Sequence, residues 1–139
     1  MAEHNATVIS VRRWEDGPHP IYELTHHGRQ LACFHPGVGA PMATGLLDEV
    51  IALGCRKFMV CGGCGVLETD IAVGELIVVA AAVCDEGVSY HYLPPGRGVA
   101  ANAAGVQALA ALRNRGIPYR LGKTWTTDAP YRETAHKIA

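Results

Sequence analysis

The sequence predicts an α/β fold in three layers, with a mostly parallel or mixed sheet flanked by helices. Three observations predict it. Short apolar runs, KFMVC at 57–61 and LIVVAAAV at 76–83, have the length and composition of buried strands. Two longer segments carry apolar residues at helical spacing and stop at a glycine. The two kinds of segment alternate along the chain, as helices covering a parallel or mixed sheet require.

From the N-terminus, residues 6–11 (ATVISV) read as a short strand, and residues 21–24 and 30–35 as strands on either side of a turn at His27-Gly28. Residues 36–41 (PGVGAP) form a turn that opens a helix. Proline suits a first helical turn because the N–H it lacks has no intrahelical partner there. That helix runs over 41–53, with Met42, Leu46, Leu47, Val50 and Ile51 on one face, and Gly54 ends it. After the two apolar strands, residues 102–115 form a second helix with Val106, Leu109 and Leu112 inward and Gly116 at its end. Residues 119–126 (YRLGKTWT) are the next strand, and a further helix starts at Tyr131 or Arg132.

A chain of 139 residues suits one domain, 1–139, and a hydrophobic fraction of 49% supplies a core. A net charge of −1 without any basic run argues against nucleic acid or an anionic membrane as the main partner. The longest apolar run is too short to span a bilayer. No positive region precedes an apolar block at the N-terminus, and five cysteines is an odd number. Both facts point to a cytoplasmic protein with free thiols.

The stretch FMVCGGCGVL at 58–67 poses the sharpest question. A structural zinc site needs a second ligand pair. Cys33, Cys55 and Cys84 are scattered singly, and His26 and His27 sit in a turn. A redox CxxC opens a helix, whereas glycines and VLETD follow here. The reading adopted is a loop. Cys61 ends a buried strand as a small hydrophobe, and Gly62, Gly63 and Gly65 let the backbone turn sharply and approach a ligand. Ligands of open α/β sheets bind at the carboxyl ends of strands, which is where this loop would lie.

Three stretches, FHPGVGAP (34–41), RKFMVCGGCGVL (56–67) with IAVGELIVVAAAV (71–83), and DEGVSYHYLPP (85–95) leading to GKTWTTDAPYRET (122–134), together resemble the nucleoside phosphorylase family, in the branch of uridine phosphorylase and the hexameric purine nucleoside phosphorylases. The resemblance covers about residues 20–139. It implies phosphate-dependent cleavage of a nucleoside, uridine-like by overall texture, to free base and ribose 1-phosphate. It also implies inorganic phosphate as co-substrate, no metal or organic cofactor, and a homo-oligomer whose subunits contribute to each other's sites. Gly62, Gly63, Cys64 and Gly65 would line ribose and base. Thr127, Asp128 and Arg132 would form the base-side wall. Arg132 is either a donor to a pyrimidine carbonyl or part of a solvated helix face. Asp128 is either an acceptor from a purine or the N-cap of the following helix. Gly37 and Gly39 would offer N–H groups to phosphate. His91 lines the site or a subunit interface, or is simply packed, the reading preferred here. No catalytic residue is assigned.

The chain departs from the family's pattern in three places. The N-terminal phosphate loop has no match, so Arg12 or Arg13 stands in for its arginine or is surface charge. Val60 occupies the position of a phosphate-binding arginine. The segment that binds the ribose hydroxyls has no counterpart. The resemblance is therefore to a shortened member, with a phosphorylase-like sheet incomplete at both ends. An impaired homologue that binds nucleoside or base, or only self-assembles, is the alternative expectation.

Overall fold

A computed structural model describes residues 5–138. It has the expected mixed α/β character. The chain divides into two compact units, one formed by residues up to Val38 with Met42–Gly54, the other by Gly39–Pro41 with residues from Cys55 onward.

The first unit is an antiparallel sheet with a helix. Strands β1 (Thr7–Trp14), β2 (Gly17–His26) and β3 (Arg29–Phe34) lie in sequence order. Central β2 tolerates Pro18 and Pro20 because its pairing with β3 begins only at Ile21. The prolines' missing N–H groups therefore break no bond to β3. The β2–β3 turn is formed by His27 and Gly28 at φ 48° and 73°. Both are positive, as the two-residue turn that matches strand twist requires. Glycine adopts that region freely, whereas histidine meets its own Cβ. His27→Asn is therefore expected to stabilise the chain by roughly 0.5–1 kcal/mol. The check is a higher urea midpoint at unchanged slope; an unmoved or lower midpoint would refute it.

Helix α1 (Ala40–Ala52) starts and stops within a residue of expectation, and Gly54 follows at φ 104°. Leu46 and Val50, four apart on one face, are buried, as is Ile21 of β2. The indole of Trp14 lies over Gly45, where a Cβ would come within 2.2 Å of the ring. Glu49 accepts from Arg12 Nε and, at 3.1 Å, from Trp14 Nε1, which ties α1 to β1. The Arg12 bond, above all, holds the Glu49 carboxyl below its ordinary value.

In the second unit β4 (Ile77–Asp85) pairs in parallel with β6 (Arg120–Thr127) and antiparallel with β5 (Gly98–Ala100), giving the order β5-β4-β6. Val78 is buried in β4. The expected second helix is present but broken into α2 (Ala103–Leu109), which packs on β4, and α3 (Ala111–Asn114). The coil tightens at Ala110, whose N–H bonds Gln107 O and whose carbonyl accepts from Arg113 N, both at 3.1 Å. Val106, Leu109 and Leu112 are still the least exposed residues of the pair, so the expected inward face holds. Asn102 caps the start through a 2.9 Å bond from Gly105 N. Arg120 fastens the 70–75 loop through Asp70 (2.7 Å) and Glu75 (2.6 Å).

Two expectations are corrected. Residues 57–61 form no strand; they carry no regular secondary structure and are exposed, with Val60 at 88%. The run is apolar enough for a strand, but composition alone supplies no partner, and among the described residues no strand pairs with it. Nor does a helix begin at Tyr131 or Arg132. A single 3-10 turn, Pro130–Arg132, precedes the short helix α4 (Ala135–Ile138). Among the described residues no helix is long and apolar enough to cross a membrane.

Candidate functional site

Because β4 and β6 are parallel, their carboxyl ends share one edge, and the last rung of their ladder pairs Asp85 with Thr127. The chemistry-bearing groups of the second unit gather just past that rung. Asp85 Oδ2 accepts from Lys137 Nζ at 2.9 Å and Trp125 Nε1 at 3.2 Å. The Lys137 bond is the main cause of a carboxyl held below its ordinary value, with the indole and the Thr127 hydroxyl helping against partial desolvation. Glu86 is the buried charged residue among those described. Burial pushes its carboxyl up, but bonds from the Ser89 hydroxyl and from the N–H groups of Ser89 and Val88 outweigh it and leave it lowered. Gly87 N donates to Asp128 Oδ2 at 2.7 Å, across 41 residues of sequence. Ala129 N donates to Thr127 Oγ1 at 3.3 Å. The result is an anionic edge whose carboxylates are already matched to donors.

The residues expected at a site fall as follows. Thr127 ends β6. Asp128 follows it, bonded to Gly87 rather than capping a helix; Ala129 holds the cap position of the next turn, with no side-chain bond. The Asp128 carboxylate reaches across to the β4 loop, and so does not turn back onto its own chain. Arg132 is exposed at the end of the 3-10 turn beside Tyr131, which is 99% exposed.

Gly62, Gly63, Cys64 and Gly65 lie on the exposed, irregular stretch between α1 and β4, where Cys61 is exposed too rather than closing a buried strand. The sharp glycine turn expected there is absent: none of these glycines takes a positive φ, and a Cβ on any of them would meet nothing within 4 Å. Neither backbone strain nor internal packing demands glycine at these positions, so their bareness leaves the backbone open to whatever approaches it.

Gly37 and Gly39 precede or open α1 at φ 76° and 87°. At Gly37 a Cβ would also strike Met42 Cγ at 2.1 Å, so glycine is required twice over. Its N–H already donates to His35 Nδ1 at 3.1 Å, and an anion there would have to take over that bond. Arg12, considered for phosphate, is paired with Glu49. His91, expected to be packed, is exposed at the end of the turn Val88–His91, with no element laid over it among the described residues.

Asp85, Glu86, Gly87, Trp125 and Lys137 were not singled out from the sequence. The signal for the first three was an acidic pair and a glycine directly after an apolar strand. Nothing local marked Trp125 or Lys137. A depression of about 300 Å³ beside the end of β4, lined by Cys84, Ser89, Tyr90, Leu93 and Pro94 with β5, contains none of the expected site residues.

A sequence model described as the phosphorylase superfamily matches residues 3–139. The chain is 30% identical over 106 residues to a uridine phosphorylase of Haemophilus influenzae, covering 76% of this chain and 42% of that one. It is 33% identical over 111 residues to a DeoD-type purine nucleoside phosphorylase of Myxococcus xanthus, covering 77% and 46%. The fold superimposes on a crystal structure of uridine phosphorylase from Vibrio fischeri ES114 with a TM-score of 0.82 at 24% identity, over 96% of this chain and 55% of that one. The chain thus spans about half the length of the relatives it matches.

Proposed function

The chain belongs to the phosphorylase superfamily, and from that premise we propose that it serves phosphate-dependent cleavage of a nucleoside, uridine-like by preference, to free base and ribose 1-phosphate. The observation that carries this reading is that relatives about 30% identical over three quarters of the chain are a uridine phosphorylase and a purine nucleoside phosphorylase.

In the proposed reaction phosphate is the co-substrate, and no metal or organic cofactor takes part. A phosphate oxygen attacks the anomeric carbon as the bond from that carbon to the base nitrogen breaks. The nitrogen keeps the electron pair, and positive charge passes through an oxocarbenium-like ribose. The protein's work is positioning and preorganised electrostatics. Gly37 and Gly39 offer N–H groups to phosphate, the stretch Gly62, Gly63, Cys64 and Gly65 lines ribose and base, and Thr127, Asp128 and Arg132 make the base-side wall. Arg132, whose planar fork suits a carbonyl, is the donor to the base. The exposed apolar side chains of Phe58, Met59, Val60 and Leu67 support a homo-oligomer, because surface of this kind is normally covered. A cytoplasmic setting fits five free cysteines.

Val60 supports a second reading, a homologue that binds nucleoside or base with little turnover, because its side chain offers phosphate no donor. Chromatography separates the two. The purified chain is incubated with uridine, thymidine, inosine and adenosine, with and without phosphate. Base release that requires phosphate, with ribose 1-phosphate formed, is the expected result. A folded sample that releases no base under either condition would overturn the catalytic reading and leave the binding one.

A further inference from the structure

We infer that Asp128 is a positioning residue, one that fastens the wall carrying Arg132 to the end of β4; the inference rests on reading residues 127–132 as the base-side wall. The β4–β6 ladder ends at the rung Asp85–Thr127, and past it, among the described residues, no backbone pairing holds the chain to the sheet. Beyond the rung the chain forms a three-residue 3-10 turn and a four-residue helix. Their own bonds are local: Arg132 N to Ala129 O at 2.8 Å, Thr134 N to Arg132 O at 2.9 Å, and Lys137 N to Thr134 O at 2.9 Å. Such short turns do not hold an orientation by themselves.

Two long-range bonds attach this segment near its two ends. Asp128 Oδ2 accepts from Gly87 N at 2.7 Å, and Lys137 Nζ donates to Asp85 Oδ2 at 2.9 Å. They are not equal. The lysine pair is 42% and 36% exposed, and pairs of that kind contribute little and are screened by salt. Gly87 and Asp128 are exposed as well, but their bond joins a carboxylate to a backbone N–H at short range, so it orders one side chain instead of two and is the more directional contact. Gly87 is in turn flanked by Asp85, bonded to Trp125, and by buried Glu86, bonded to Ser89, so the anchor itself is rigid. Arg132 lies four residues beyond Asp128, and its reach toward a base depends on that fastening.

Hydrogen exchange on the full chain, read with uridine calorimetry, tests this. In Asp128→Ala the amides of residues 129–138 are expected to exchange roughly tenfold faster, while those of β4 and β6, in the same unit, stay unchanged as an internal check on folding. Asp128→Asn, which keeps an acceptor oxygen, is expected to restore most of the protection. Uridine affinity is expected to fall about tenfold in Asp128→Ala, as a lost charged hydrogen bond implies, at an unchanged melting temperature. Unchanged exchange in residues 129–138 would overturn the fastening. Faster exchange with undiminished uridine affinity would overturn the positioning role. A wild-type chain that binds no uridine would overturn the reading of the wall and the positioning role with it, and faster exchange would then establish the fastening alone.

Discussion

Replacing Leu46 with alanine is expected to cost about 3 kcal/mol of stability. Leu46 is 2% exposed, the most completely buried large side chain described, and in the first unit it shares that burial only with Ile21 and Val50. Removing three carbons there forfeits their transfer free energy and leaves a void that α1 and the sheet fill incompletely. Typical domains hold roughly 5–15 kcal/mol in total, so a loss of this size is a large fraction of the reserve. Leu53, one residue past α1 and 59% exposed, is the matched control. Urea titrations of both variants decide the matter. A loss below about 1 kcal/mol for Leu46→Ala would show that the site collapses around the truncation.

The neighbouring position is sensitive to the opposite change. Gly45→Ala adds one methyl group, placed 2.2 Å from Trp14 Cη2 and 2.9 Å from Cζ2. The helix backbone would otherwise accept alanine better than glycine by about 1 kcal/mol, so propensity and packing oppose each other. Packing wins here, because contact that close forces the indole to move and overpacking of this kind costs about 1–3 kcal/mol. The indole is also held by Glu49, which holds Arg12, so the displacement spreads through that network. Trp14→Phe removes the outer ring atoms. In that background Gly45→Ala should cost little or even stabilise, a coupling that a double-mutant cycle measures. Equal costs in both backgrounds would place the damage somewhere other than the ring.

How far the sequence reveals this protein depends on how local each cause is. The β2–β3 turn could be read because His27-Gly28 interrupts two apolar strands, and α1 because its spacing and Gly54 both lie within the segment. The inward face of α2 and α3 was legible for the same reason. The break between them was not, since Ala110 is the best of helix formers and only the bond pattern around it marks the tightening. Residues 57–61 show the other limit: apolar composition signals a tendency toward burial, but whether a strand forms depends on a partner edge elsewhere in the chain. The site divides likewise. A polar residue after β6 could be noticed at Asp128, but its acceptance from Gly87 joins loops 41 residues apart, and no local pattern encodes such a pairing. Arg12 looked like free surface charge because Glu49 lies 37 residues away.

Each compact unit contains one tryptophan, Trp14 in the first and Trp125 in the second, and each indole N–H is held by a carboxylate. The molecule therefore has two intrinsic fluorophores that report different territory. Trp14 emission follows the seam between β1 and α1. Trp125 emission follows the edge where the proposed wall is fastened, through the oxygen that also receives Lys137. Substituting either ring by phenylalanine isolates the signal of the other, so unfolding of one unit and occupancy of the other can be watched optically without attaching a dye.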